Sequence, residues 1–160
     1  MSIGPAAIAF CAALLFGPPN IKVKAVTNPA AAPIKGAVFM ITARHHVSPD
    51  GIVVSGRAEG IVAGKRVSHR LTLTPGASAG VYGVTRQWDA GQPWVLVFAV
   101  SATEHESDGV AEAAVRVAPD GRVLGIDYPM GKLASGYPWP RKMTATEIDA
   151  ALTAMTPKRP

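Results

Sequence analysis

The segment Trp94–Val100, WVLVFAV, is apolar at every position. Side chains on an extended chain alternate between two faces, so a strand of this composition needs cover on both. It therefore belongs in the middle of a sheet, with apolar material above and below it. The residues before it alternate: Tyr82, Val84 and Trp88 fall on one face, and Val81, Gly83, Thr85 and Gln87 on the other. With Asp89–Pro93 as a hairpin loop, Gly80–Val100 reads as two paired strands that hold two of the three tryptophans.

Other half-buried strands follow from the same alternation. Ala37, Phe39, Ile41, Ala43 and Val47 share one face of a strand, opposite Thr42, Arg44 and His46. Ser48-Pro49-Asp50-Gly51 has proline and glycine placed for a reversal into a second strand, Ile52–Glu59, whose inward set is Ile52, Val54, Gly56 and Ala58. Gly60–Gly64 reads as a turn and Lys65–Thr74 as a third strand, with Val67, Leu71 and Leu73 inward. Beyond the doubly apolar strand, Thr103–Gly109 is a polar loop. Val110–Val117 carries Ala111, Ala113, Val115 and Val117 on one side, and Ala118-Pro119-Asp120-Gly121 turns into Arg122–Tyr128. Seven strands with turns at roughly 8–12-residue spacing predict an all-β fold, an antiparallel seven-stranded immunoglobulin-like sandwich over residues 36–128.

A carboxy-terminal extension, 129–160, follows. Met130–Pro140 is irregular and aromatic, with Tyr137-Pro138-Trp139-Pro140 extended because a residue before proline is pushed out of the helical region. Thr144-Ala145-Thr146-Glu147 is a capping box that predicts a short α-helix over about 144–155, with Met143 stapled onto Ile148 and an apolar stripe of Ile148, Ala151, Leu152 and Met155. Such a short helix needs a surface to pack on, and Val95 and Val97 offer one.

The amino terminus gives an address. Residues 5–16, PAAIAFCAALLF, match a secretory hydrophobic region in length and are too short to span a bilayer. Cleavage is expected after Ala25, with Ala30-Ala31-Ala32 the poorer site because Pro33 follows. Residues 1–25 then form a signal peptide and the Pro/Ala-rich 26–35 a linker. MSIGP lacks the usual basic charge, so an uncleaved anchor or a buried amino-terminal helix is the alternative. Cys11, the single cysteine, lies inside the apolar run, and the bulky Phe10 before it argues against lipidation. The expected location is the periplasm or the exterior, with no disulfide and no integral membrane segment after cleavage.

The run Ala79-Gly80-Val81-Tyr82-Gly83-Val84, followed after a turn by Trp94-Val95-Leu96-Val97-Phe98, resembles the paired strands of transthyretin-like, carboxypeptidase-regulatory-like domains. The chain departs from that pattern in lacking the aspartate–glycine pair ahead of the first aromatic strand. The resemblance implies an accessory or binding module and transfers no active site.

Residues able to carry chemistry are few. Gly-x-Ser-x-Gly, His-Glu-x-x-His and a glycine-rich phosphate loop do not occur, so the chain is expected to be non-enzymatic and free of cofactors. The net charge of +5 is scattered, without the basic run of a nucleic-acid-binding arm. The expected partner is a protein or envelope component. The alternative is a copper-type metal carrier, with candidate ligands His45, His46, His69 and Met40. His45 and His69 lie on the apolar faces of their strands and would meet if those strands were neighbours, while His46 sits beside Arg44 on an exposed face. A hydrogen-bonded histidine at the sandwich edge is the plainer reading, since a metal site needs three or four convergent ligands. Glu104, His105, Glu106 and Asp108 lack calcium-loop spacing and read as a solvated loop. Arg57, Lys65, Arg66 and Arg70 form a basic outward face. Arg86, on the same face as Val84 and Trp88, stacks on an indole, snorkels or marks a cleft; with Trp88 and Trp94 it is a candidate for ligand or partner contact.

Overall fold

The computed structural model describes residues 18–44, 51–102 and 109–156. Strand β1 (Asn20–Ala25) opens the fold, and a packed connection with a 3-10 turn at Pro29–Ala31 leads to β2 (Phe39–Arg44). Then come β3 (Ile52–Val62), β4 (Lys65–Leu71), β5 (Thr74–Pro75), β6 (Val81–Val84), β7 (Trp94–Ala102), β8 (Val110–Val117) and β9 (Val123–Asp127). Two short strands, β10 (Met130–Lys132) and β11 (Pro138–Pro140), precede helix α1 (Ala145–Met155). The described residues thus form a mostly β, antiparallel fold with one short helix near the carboxy terminus. Among them no helix is long and apolar enough to cross a membrane.

The strands form a four-stranded sheet ordered β1-β2-β6-β5, a five-stranded sheet ordered β4-β3-β7-β8-β9, and the small β10-β11 pair. One core joins the two larger sheets. Ile21, Val23, Phe39, Ile41, Ala43 and Val84 of the first meet Ala58, Leu96, Phe98, Val100, Ala113 and Val115 of the second. Apart from Ile21 and Val23, the alternation in the sequence identified these inward residues, because one buried face forces a period of two.

The doubly apolar strand is central, as its composition requires. β7 pairs with β3 on one side and β8 on the other. Its second face packs Val95 and Val97 with Ala114 of β8 against Ile148 and Leu152 of α1, with Met143 alongside. The capping box forms: the Glu147 amide donates to the Thr144 hydroxyl (3.2 Å), and the Thr144 amide donates to the Glu147 carboxylate (2.8 Å). The Ala118–Gly121 turn also forms, with the Gly121 amide donating to the Ala118 carbonyl at φ +86°.

Several expectations change. Gly80–Val100 is not a hairpin: β6 lies in the four-stranded sheet and β7 in the five-stranded one, so Thr85–Pro93 carries the chain from one sheet to the other. Alternation places residues on a face but says nothing about which strand lies beside it. The third strand likewise splits at Leu71, with β4 and β5 in different sheets. Gly60–Val62 belongs to β3, which reverses through Ala63 and Gly64, both at positive φ, into β4; this is the primed two-residue turn suited to twisted strands. Met130–Pro140, expected to be irregular, forms the β10-β11 pair, whose prolines are tolerated because such a pair has free edges.

A further change concerns where the fold begins. Residues 20–25, assigned to the leader, pair with β2 over their whole length, and Ile21 and Val23 are buried in the core. The stretch 26–35 is packed rather than a free linker: the Val26 amide donates to the Val38 carbonyl, and Ile34 lies over Gly83. The apolar run at 5–16 and Cys11 lie outside the described residues, as do His45, His46, Ser48–Asp50 of the expected first turn and the acidic residues within 103–108.

Candidate functional site

β1 is an edge strand. Lys22 and Lys24 stand opposite Thr42 and Met40 of β2, while the backbone groups of Ile21, Val23 and Ala25 face away from β2. On that outer edge the Val23 amide donates to the hydroxyl of Tyr128 (3.2 Å), which follows β9 in the other sheet. One phenol thus bridges the margins of the two sheets. Beside it runs a groove of about 560 Å³ lined by Asn20, Lys22, Lys24, Met40, Thr42 and Tyr128 together with Ile21 and Val23. Its charged side chains are both lysines. Tyr128 and Met130 stay exposed next to it, and a second hollow formed by Pro18, Pro19, Met130 and Pro140 adjoins Tyr128.

A smaller cleft of about 190 Å³ opens at the end of the two sheets, where β1 ends, β2 begins and the β8–β9 turn passes. Arg86, Trp88, Phe39, Val117, Val123 and Gly121 are among its walls. Trp88 stacks on Phe39 (centroids 6.1 Å, 29° between planes). The Arg86 guanidinium donates through Nε to the Trp88 carbonyl (3.4 Å). Of the three roles open to Arg86 from the sequence, it marks a cleft.

The other candidates fall elsewhere. Trp94 is 1% exposed, and its indole N–H donates to the Asp89 carbonyl (2.9 Å), so it is a core residue with a satisfied polar handle. His69 stands edge-on to Trp94 (5.1 Å) and contacts the Gln87 carbonyl through Nε2 (3.2 Å). A carbonyl only accepts, so the imidazole carries a hydrogen on Nε2. Met40 faces out of the four-stranded sheet, while its neighbours Phe39 and Ile41 enter the core that His69 and Trp94 border. The structure therefore does not bring Met40 and His69 together. Among the described residues no three His, Cys, Asp or Glu side chains gather as metal ligands.

No protein-family model matches the chain, and neither a curated protein nor a solved structure matches it.

The sequence reading missed two clusters. Glu59 and Glu112 are buried on the outer face of the five-stranded sheet. Arg57 donates to both (3.1 and 3.2 Å), Arg66 and Ser68 donate to Glu59, and the Met143 amide donates to Glu112 (2.6 Å). Arg66 also pairs with Asp149 of α1. Two arginines of the expected basic face thus serve as internal counter-ions. Gln87 forms the second cluster: its side-chain amide accepts from the Thr72 amide (2.8 Å) and donates to the Thr72 carbonyl (2.9 Å), clasping together the two segments that cross between sheets.

Proposed function

We propose that the chain is an exported, non-enzymatic β-sandwich of immunoglobulin-like, transthyretin-like kind, a binding or envelope-accessory module in the periplasm or outside the cell. Its partner is an acidic, extended segment of another protein, taken up along the outer edge of β1. The observation that carries this reading is the groove at that edge. An edge strand offers main-chain donors and acceptors to an incoming strand, and alternate side chains then enter neighbouring pockets. Here the pockets are the surfaces of Met40, Thr42 and Tyr128.

Charge chooses among occupants. A second copy pairing along β1 would set Lys22 and Lys24 against the same lysines, and like charges directly opposed destabilise a sheet. An acidic segment meets them favourably. Tyr128 must swing aside to free the Val23 amide, and as a partly exposed single side chain it is able to do so. The transthyretin-like assignment draws support from two antiparallel sheets sharing one core, although the two segments that carry the sequence resemblance, around Tyr82 and Phe98, lie in different sheets rather than pairing. Export draws support from the apolar run at 5–16, with the cleavage site placed before Asn20 so that β1 is retained.

Fluorescence anisotropy with a labelled peptide alternating glutamate and valine tests the reading. Saturable binding that weakens with added salt and is lost in Lys22→Glu/Lys24→Glu is expected. Equal binding by the double variant, or by a peptide with lysine in place of glutamate, contradicts it.

A further inference from the structure

We propose that the cleft beneath Arg86, separate from the β1 edge, binds a small organic anion: a carboxylate on a compact apolar body such as an aryl ring. The floor and walls suit the apolar part. Phe39, Trp88 and Val117 are buried core residues that reach the cleft, and Ala25, Val26, Val38 and Val123 complete an almost wholly apolar lining. The volume of about 190 Å³ suits the size, since an apolar cavity of about 150 Å³ accepts a benzene ring.

The mouth suits the charge. Arg86 is an exposed guanidinium held in place by its Nε contact with the Trp88 carbonyl, and no carboxylate pairs with it among the described residues. Its two Nη groups remain to grip a carboxylate in the paired geometry that guanidinium favours. The nearest acid in the β8–β9 turn, Asp120, is already taken by Arg122 (2.6 Å). Across the mouth, Gly121 has no side chain, and a Cβ built there would stand 3.8 Å from Arg86 Nη1, so a larger residue would crowd the guanidinium. Apolar walls closed by one cation select an amphiphilic anion over both a neutral ring and a fully hydrated ion such as phosphate.

Titration of the full chain with benzoate, followed by calorimetry and by amide and indole NMR, tests this. Saturable binding is expected, with the Trp88 indole and Gly121 amide resonances among those that move. Benzamide, the neutral isostere, is expected to bind at least about tenfold more weakly, and Arg86→Gln to weaken benzoate by a similar factor. Arg86→Lys should fall between. Arg86 is exposed and outside the core, so these variants should melt with the parent. Absence of saturable benzoate binding, equal binding of benzamide, unchanged affinity in Arg86→Gln, or shifts centred away from the cleft would overturn the proposal.

Discussion

At Gly60 the absence of a side chain makes room for Trp94. The two residues are opposed across β3 and β7, and a Cβ at Gly60 would fall 2.6 Å from the indole ring. That ring is held on its other sides by the Asp89 carbonyl and the edge of His69. It cannot move without breaking those contacts. Gly60→Ala is therefore expected to cost about 1–3 kcal/mol through overpacking, read as a fall in the denaturant midpoint with an unchanged m value. Single-residue roles were legible in the sequence only where local alternation decided them. Arg86 stood out because a guanidinium shared a face with Val84 and Trp88, and it does line a cleft. Trp94 looked like a contact residue because its chemistry permits that role, and only the strands beside it make it core. Gln87 gave no signal, since its partner Thr72 lies on the other crossing segment.

At the scale of elements, α1 is the piece the sequence described most fully. Capping box, staple and apolar stripe are local, and Val95 and Val97 announced a docking surface by being apolar where a solvent-facing strand would be polar. The buried carboxylates beneath the helix start were not legible, because the arginines, serine and amide that satisfy Glu59 and Glu112 come from three separate places in the chain, β3, β4 and the segment before α1. The helix start also carries an acid-sensitive contact. Arg141 grips the Glu147 carboxylate, with further help from the Thr144 amide and hydroxyl, and lowers its pKa from 4.5 to about 2. A depressed carboxylate stabilises the fold above the unfolded-state value, so this contribution is complete above about pH 4.5 and fades as pH falls towards 2. Glu147→Gln should remove that part of the pH dependence. Thermal melts of both proteins between pH 6 and pH 2 are expected to converge in acid, and a constant gap between them would count against the contact.

Across the whole molecule, two sheets share a core and are tied at both margins. The chain itself crosses from β4 to β5 at one side, and Tyr128 bridges β1 and the end of β9 at the other. The all-β, antiparallel character followed from turn spacing and alternation. Sheet membership did not, because β6 and β7 are adjacent in sequence yet lie in different sheets, and β1 was hidden by its closeness to an export-like apolar run. A chain starting at Val26 loses the buried Ile21 and Val23, which at about 1.5–3 kcal/mol each is much of a small domain's stability. A chain starting at Pro18 should fold and melt cooperatively, whereas one starting at Val26 should melt far lower or fail to fold. The same strand supplies the proposed docking edge. The most direct test is NMR mapping of the glutamate–valine peptide on the chain that starts at Pro18: shifts confined to residues 20–25, Met40, Thr42 and Tyr128 are expected, and binding that leaves β1 unmoved would contradict the account.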